Sequence, residues 1–301
     1  MTEAGLVLLA DIGGTKSRIA LARGAAILAA QTWANDNFDG PEALIDTFVR
    51  QAGARPSRAA IAVAGPVTGA GARLTNRDWE IVPDRLRVRC GVEEVQLVND
   101  LEALALALPA LAADQLIGLR PGEGSGNGQA LVANFGTGFN VGLLRETAAG
   151  PVAFAAELGH AALPTPVAAA AGDGFATIEH LFAGPGLSRL HRALAQADLS
   201  PEAISAAADS DGAAAASLDR MAHLIGLLAR ELVCSYLPLG GLYLAGSMAR
   251  AVLARASARA ALLDGFAAPG LAEDMPLILI TDDAAALTGL ARLAATGVPG
   301  Q

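Results

Sequence analysis

Cysteines and basic residues are scarce in this sequence, and each shortage excludes a class of protein. Only Cys90 and Cys234 occur among 301 residues, too few for a disulfide framework or a cysteine zinc cluster, and this suggests a reducing compartment. Lys and Arg together number 21, against 30 Asp and Glu, and the net charge is −9. Such a surface repels the phosphates of nucleic acids, so we expect no nucleic-acid partner.

Signals for export and membrane insertion are also lacking. No basic segment followed by an apolar one opens the sequence, so we predict no signal peptide and a cytoplasmic location. Residues 232–249 carry no charge, but Pro238, Gly240 and Gly241 interrupt them. A strand over 242–246 suits this pattern better than a membrane helix, and we expect no membrane contact.

Apolar runs with strand character alternate with helical runs rich in alanine, which predicts an α/β fold. Strands are predicted at 6–10, 19–22, 59–64, 95–98, 130–133 and 139–144, and helices at 41–52, 101–108, 211–229 and 283–296. The alanine-rich stretch 203–218 is expected to form a solvated helix and loop. Apolar residues at helical spacing in the next helix are expected in the core, namely Met221, Leu224, Ile225 and Leu228.

The first predicted strand ends in a turn suited to phosphate. It contains Gly13, Gly14 and Thr15, and a second apolar strand follows. Adjacent glycines leave backbone N–H groups uncovered, so that they can approach an anion, and Thr15 adds a hydroxyl donor. Asp11, at the strand end, stands where a carboxylate could hold a hydrated Mg²⁺. An ordinary glycine hairpin with an incidental aspartate is the alternative.

A similar pattern of strand, turn and strand recurs at residues 130–144. The turn here is Gly136-Thr137-Gly138. The repeat indicates an internal duplication, with one phosphate-binding hairpin in each domain.

Asn99 and Asp100 follow the strand at 95–98 and precede an apolar helix. Ligands of open α/β sheets collect at the carboxyl ends of strands, so these two residues are candidates for chemistry. Asp100 also stands where an N-cap residue would begin the helix at Leu101, and the sequence leaves both roles open.

Ordered motifs cover residues 6–250. They are Asp11-x-Gly-Gly-Thr, Leu74-Thr75-Asn76-x-x-Trp79, Val98-Asn99-Asp100, Gly136-Thr137-Gly138, Glu157-x-Gly159-His160, Glu179, Gly184-Pro185-Gly186-Leu187 and Gly240-Gly241-x-x-x-x-Gly246. In this order they resemble bacterial glucokinases, which belong to the superfamily of actin, sugar kinases and heat-shock chaperones.

The resemblance implies an α/β fold of two ribonuclease-H-like domains with an interdomain cleft, the fold of actin-like ATPases and sugar kinases. We expect a small domain of residues 1–105 plus 283–301 and a large domain of residues 106–282. The implied activity is phosphorylation of glucose at its 6-hydroxyl, with ATP and Mg²⁺ as cofactors. The implied partners are a hexose and a nucleotide, and the resemblance also suggests a homodimer.

The resemblance assigns roles to individual residues. Asp100 would be the general base that accepts the proton of the sugar 6-hydroxyl. Side chains that hydrogen-bond hydroxyl groups would hold the sugar: Asn76, Asn99, Asp100, Glu157, His160 and Glu179. The nucleotide would be bound by Asp11 (through Mg²⁺ and water), Gly13, Gly14, Thr15, Gly136, Thr137, Gly138, Gly240, Gly241 and Gly246.

Other interpretations of these residues stay open. His160 could be a loop histidine, Glu179 an exposed helix charge, and Trp79 a core residue. A metal cluster of His160, Glu157 and Asp173 lacks the usual ligand spacing and is not expected.

The nearest alternative function is a kinase for another hexose or an amino sugar, and a catalytically silent sugar sensor is a second alternative. No cysteine occurs between Cys90 and Cys234, so a zinc-containing member of the related repressor-and-kinase group is not expected.

Four positions depart from the family pattern. Asn134 and Asn140 stand where glycine is usual, Ser247 replaces a second glycine, and Leu158 interrupts Glu-Gly-Gly-His. Asparagine tolerates left-handed backbone, so we expect the second turn to survive. The new side chains could crowd or contact a phosphate.

Overall fold

A computed structural model describes residues 3–124, 126–267, 270 and 273–296. The strands are β1 (Glu3–Ile12), β2 (Lys16–Arg23), β3 (Ala26–Ala34), β4 (Pro56–Val63), β5 (Val67–Thr68), β6 (Gly71–Arg73), β7 (Glu80–Ile81), β8 (Glu94–Asn99), β9 (Leu116–Arg120), β10 (Gln129–Phe135), β11 (Phe139–Thr147), β12 (Gly150–Ala155), β13 (Leu242–Ala245) and β14 (Leu277–Ile280). The α-helices are α1 (Pro41–Ala52), α2 (Pro83–Cys90), α3 (Asp100–Ala107), α4 (Thr165–Ala171), α5 (Ile178–Phe182), α6 (Gly184–Ala195), α7 (Pro201–Ala207), α8 (Gly212–Tyr236), α9 (Ser247–Val252), α10 (Ala256–Phe266) and α11 (Ala285–Thr296). Every strand and helix predicted from the sequence coincides with an observed one.

The chain forms two compact units. The first contains the residues up to Leu111, the segment Ala148–Ala153 and the residues from Ala284 onward. The second contains Ala112–Thr147 and Phe154–Asp283. The strand β12 therefore belongs partly to each unit.

A five-stranded sheet, in the order β3-β2-β1-β4-β8, forms the centre of the first unit. The strands β1 and β2 make an antiparallel hairpin, whereas β1, β4 and β8 run parallel. Ile12 pairs with Val63, and Val63 pairs with Asn99. The carboxyl ends of β1 and β8 therefore lie at the same edge of the sheet, about 10 Å apart, since neighbouring strands are about 4.8 Å apart.

The helix α11 returns to the first unit and packs closely on α3. A Cβ atom added at Gly289 in α11 would overlap the carbonyl oxygen of Ala103 in α3. Glycine is needed here because the two helix backbones touch, and not because of a special backbone angle.

The second unit repeats the pattern of pairings. Its sheet contains the strands β11-β10-β13-β14-β9 in that order. The strands β10 and β11 form an antiparallel hairpin, and β10, β13 and β14 run parallel. This matches β2, β1, β4 and β8 of the first unit, as the predicted duplication requires. Asn134 pairs with Ala245, so the turn after β10 and the end of β13 share one edge.

The long helix α8 runs through the core of the second unit. Met221, Leu224, Ile225 and Leu228 are all buried in it, which confirms their predicted core positions.

The prediction of a solvated stretch at 203–218 is wrong in part. Buried side chains include Ile204, Ala214, Ser217 and Leu218. Alanine is small enough to pack between helices. The buried hydroxyl of Ser217 is satisfied because it donates to the carbonyl of Ala213 at 2.9 Å. A prediction based on composition alone could not detect either effect.

The uncharged residues 232–249 do not form one helix. The helix α8 ends at Tyr236, β13 follows as predicted, and α9 begins at Ser247. Among the helices of the described residues, none has both the length and the hydropathy that a bilayer span requires.

We expect Gly289→Ala to lower the free energy of unfolding by about 1–3 kcal/mol, because the added methyl group forces α11 away from α3. Urea titration measures this loss. Gly69→Ala is the control, since a Cβ atom there meets nothing within 4 Å. Equal stability of the two variants would contradict the close packing of these helices.

Candidate active site

The turn after β1 is held by a buried asparagine that the sequence analysis did not identify. The side chain of Asn35 is fully buried, and its Nδ2 donates to the carbonyl oxygen of Gly13 at 2.7 Å. Its backbone N–H donates to the carbonyl of Thr15 at 2.9 Å, and its Oδ1 accepts from the Ser17 hydroxyl at 2.8 Å. Asn35 therefore fixes both ends of the turn.

Arg77 engages the middle of the same turn. Its Nη1 donates to the carbonyl oxygen of Gly14 at 3.2 Å, and its Nη2 donates to Asp36 Oδ1 at 2.8 Å. The guanidinium lies 4.6 Å from the ring centroid of Trp79, which is a core residue with 7% exposure. Asn35 and Arg77 together engage the carbonyl oxygens of all three turn residues.

The hydrogen bonds to these three carbonyl oxygens matter because a carbonyl oxygen repels a phosphate. With every carbonyl of the turn bound by a donor of the protein, the N–H groups of Gly14 and Thr15 are the ones that can meet an anion, since the N–H of Gly13 donates to the Lys16 carbonyl at 3.2 Å. Asn76 lies beside this turn, since a Cβ atom added at Gly14 would be 3.4 Å from the Asn76 Cβ.

Asp11 is held at the end of β1 by an opposite charge. Its carboxylate Oδ2 lies 3.1 Å from Arg18 Nη1, and its residue exposure is 8%. Within the described part of the chain, no group of three His, Cys, Asp or Glu side chains could hold a metal ion. A single carboxylate fits Mg²⁺ that takes most of its ligands from phosphate and water.

The junction of β8 and α3 assigns the N-cap to Asn99. Its Oδ1 accepts from the N–H of Leu101 at 2.9 Å, and Glu102 Oε2 accepts from its backbone N–H at 3.0 Å, which completes a capping box. Asp100 is the first helical residue, and its Oδ1 also accepts from the Leu101 N–H, at 3.0 Å. Because Asn99 is the N-cap of α3, helix capping does not by itself explain why an aspartate stands at position 100.

The second turn, Gly136–Gly138, is packed against Glu179 of α5. Glu179 Oε2 accepts from the backbone N–H of Phe139 at 3.0 Å. A Cβ atom added at Gly138 would lie 2.5 Å from the same oxygen. Glu179 is thus bound to the hairpin and is not merely an exposed helix charge.

Glu157 and His160 lie close to this hairpin. His160 Nε2 is 4.0 Å from Glu157 Oε2, and their side chains are 72% and 60% exposed. Asn140 in β11 donates to Glu157 Oε2 at 3.0 Å. Glu157, His160 and Glu179 therefore surround the beginning of β11, with hydrogen-bonding groups accessible to a ligand.

The three glycines of the motif Gly240-Gly241-x-x-x-x-Gly246 are not brought together. Gly246 follows β13 and so lies at the same end of the sheet as the turn 136–138. Gly240 and Gly241 precede β13. A strand of four residues is about 13 Å long, which places Gly240 and Gly241 at the opposite edge. The expectation that they share a site with Gly246 is therefore corrected.

Sequence reasoning missed Asn35, Arg77 and Arg18. Arg77 occupies an unassigned position inside the motif Thr75-Asn76-x-x-Trp79, and a polar side chain there could have been noticed. Asn35 carried no comparable signal, because its partner Gly13 is 22 residues away.

Comparisons with known proteins agree with this geometry. The model of the glucokinase family matches residues 8–297. A glucokinase of Cupriavidus pinatubonensis (strain JMP 134 / LMG 1197) is 33% identical over 318 residues, covering 95% of this chain and 91% of that protein.

Solved structures show the same fold. A glucokinase from an Antarctic psychrotroph superposes with a TM-score of 0.83 at 25% identity, over 97% of this chain and 99% of the other. A ROK family glucokinase from Streptomyces griseus, in complex with glucose and AMPPNP, has a TM-score of 0.70 at 22% identity, over 97% and 100% of the two chains.

The duplicated sheets and their glycine turns define a sugar kinase of the actin-like fold. The glucokinase family model matches nearly the whole chain, and this match identifies the family. The chain belongs to the glucokinase family, and it is a phosphotransferase.

We expect Asn35→Ala to lower the free energy of unfolding by about 1–3 kcal/mol, because it leaves the Gly13 carbonyl without a partner. Urea titration is the measurement. Asn37→Ala is the matched control, because Asn37 lies two residues further along and is exposed. If both variants are equally stable, Asn35 does not hold the turn.

Proposed function

We propose that this chain transfers the γ-phosphoryl group of ATP to the 6-hydroxyl of glucose, with Asp100 as the general base. The observation that carries the proposal is the shared edge of β1 and β8, whose ends are about 10 Å apart. This span fits a phosphate bound to the first turn, its phosphoryl group and a hydroxyl at Asp100, at about 3 Å for each contact.

The proposed reaction is an in-line displacement. The sugar 6-oxygen forms a bond to the γ-phosphorus while the bond from phosphorus to the ADP oxygen breaks, and Asp100 accepts the hydroxyl proton. The Leu101 N–H holds one oxygen of Asp100, which limits the orientations of the carboxylate. Backbone N–H groups of the turns stabilise the negative charge on the transferred group.

Carboxylate, imidazole and amide groups suit a hexose, which offers several hydroxyl groups. Glu157 and His160 are the most accessible of them in the second unit. The sugar-binding residues we propose are Asn76, Asn99, Asp100, Glu157, His160 and Glu179. An analogue that lacks one of these hydroxyl groups should bind more weakly, because its hydrogen-bond partner on the protein then loses that bond.

The nucleotide is assigned to backbone groups at the strand ends. We propose contacts from Gly13, Gly14, Thr15, Gly136, Thr137, Gly138 and Gly246. Mg²⁺ bound with ATP would supply positive charge that neutralises the phosphates, and Asp11 would hold it through water. The Streptomyces griseus structure with glucose and AMPPNP supports this pair of ligands.

We also propose a cytoplasmic location, a role in glycolysis and a homodimer. The location is supported by the two free cysteines, of which Cys234 is exposed. The role follows from the product, glucose 6-phosphate, and the homodimer rests on the family resemblance.

We expect Asp100→Asn to lower kcat for glucose at least about 100-fold, because the amide cannot accept the proton. The amide oxygen can still accept from Leu101, so the fold and glucose binding are kept. A coupled assay of ADP release gives kcat, with glucose, mannose, fructose, N-acetylglucosamine or no sugar.

The control is Asp84→Asn, which alters an exposed acid in the first turn of α2. Near-normal turnover by Asp100→Asn would falsify the general-base assignment. Turnover with another sugar in place of glucose would support the alternative of a different hexose kinase.

We expect Gly14→Ala to raise the KM for ATP by about tenfold and the Kd for glucose by less than about twofold, because the methyl group adds bulk at the turn proposed to bind phosphate and meets Asn76 only at van der Waals distance. The fold tolerates the change, since the new Cβ atom is 3.4 Å from Asn76 Cβ. Separate nucleotide and glucose titrations measure the two effects, and an equal loss for both ligands rules out a specific role in nucleotide binding.

A further inference from the structure

The side chain of Asn140 makes three hydrogen bonds. Its Oδ1 accepts from the backbone N–H of Val141 at 2.9 Å and from the N–H of Leu158 at 3.0 Å. Its Nδ2 donates to Glu157 Oε2 at 3.0 Å. These bonds join β11 to the segment that carries Glu157 and His160.

The orientation of the amide follows from these partners. Two N–H donors require an oxygen opposite them, so the amide nitrogen faces the carboxylate. The hydrogen bond to Glu157 is charge-assisted, which makes it stronger than a neutral one.

We propose that Asn140 is a positioning residue that fixes the Glu157 carboxylate for recognition of a sugar hydroxyl. The inference rests on the proposed function, in which Glu157 binds glucose. The Glu157 side chain is 60% exposed, so without Asn140 it would exchange among rotamers and lose that freedom on binding. Asn140 restrains the carboxylate before the sugar arrives, which improves sugar affinity.

The same contacts argue against a direct role at the phosphates. Asn140 Oδ1 accepts from Val141 and Leu158, and Nδ2 directs one of its two N–H groups to Glu157, so the contacts of the side chain are with its own strand and with the segment that carries Glu157. A change at Asn140 should therefore act on glucose and leave ATP affinity unchanged.

Asn140→Asp is the sharpest variant. It keeps an oxygen for the N–H groups of Val141 and Leu158 and replaces the donor with an oxygen that faces Glu157. We expect the KM and the Kd for glucose to rise about 10- to 100-fold, while the KM for ATP and kcat change less than about twofold.

Asn127→Asp is the matched control in the same unit. Asn127 Oδ1 accepts from the Gln129 N–H at 3.0 Å, and Nδ2 donates to the Leu237 carbonyl at 2.9 Å. The variant loses an equivalent donor away from Glu157, and its KM for glucose should stay at the wild-type value.

A double-mutant cycle with Glu157→Gln tests whether Asn140 acts through Glu157. In the double variant the amide introduced at position 157 can donate to the carboxylate introduced at position 140, which reverses the original hydrogen bond. We expect Asn140→Asp to add less than about a twofold rise in the KM for glucose on this background. A full and independent rise would overturn the proposal.

The pH dependence gives a further readout. In Asn140→Asp, two carboxylates face each other and share a proton at low pH, which restores a donor. The ratio of the variant and wild-type KM values for glucose should therefore fall towards one between about pH 8 and pH 5. His160 and Glu179 face the same region and are present in both proteins, so the ratio of the two KM values isolates the effect of position 140.

The outcomes separate the two proposals. If the wild type neither binds nor phosphorylates glucose, the proposed function fails and the sugar role of Glu157 fails with it. If the wild type uses glucose and Asn140→Asp matches it, or raises the KM for ATP equally, only the positioning role is overturned.

Discussion

The parallel register of β1, β4 and β8 is the constraint on which the proposed chemistry depends. The strands β1 and β4 are largely buried on both faces and β8 is partly buried, so a shift of one residue would exchange the side chains of the two faces, such as Leu8 and Leu9, and disrupt the packing on both. The register therefore fixes the separation between the first turn and Asp100 as firmly as it fixes the core. A site supported by strand ends in this way is more precise than a site carried by long loops.

The proposed binding of phosphate by the two turns is favoured when their carbonyl oxygens are occupied by donors of the protein, because a carbonyl oxygen repels an anion. Asn35 and Arg77 do this for the first turn, and the N–H of Gly184 donates to the Gly136 carbonyl in the second. These residues need not touch a ligand to affect its binding. Because Asn35 is also buried, the same hydrogen bonds contribute to folding and to the shape of the site, which links the stability of the hairpin to its function.

The two hairpins, the parallel strands β4, β8 and β13 and both turns were predicted, because apolar runs and paired glycines are local signals. The strand β3 was not predicted, because it is almost entirely exposed and has no apolar alternation, and β9, β12 and β14 were also missed. Contacts between distant residues were not predictable in this way, as the sequence separation of 63 between Gly14 and Arg77 illustrates. Composition misled the prediction at 203–218, where alanine packs in the core. Motif order placed Gly240 with Gly246, although the strand β13 separates them, because a motif does not show at which end of a strand its residues lie.

Asn134 and Asn140 stand where the resemblance led us to expect glycine, and each side chain contacts a neighbouring residue. Asn140 gains hydrogen bonds to β11 and to Glu157. Asn134 pairs with it across the hairpin, and its Oδ1 would be 2.7 Å from a Cβ atom added at Gly246. Gly246 has a φ of 97°, a conformation that glycine adopts without strain. Glycine is therefore needed at position 246 for two reasons: its backbone angle and the space taken by the Asn134 side chain. The asparagines thus belong to a consistent packing arrangement in which both turns are retained.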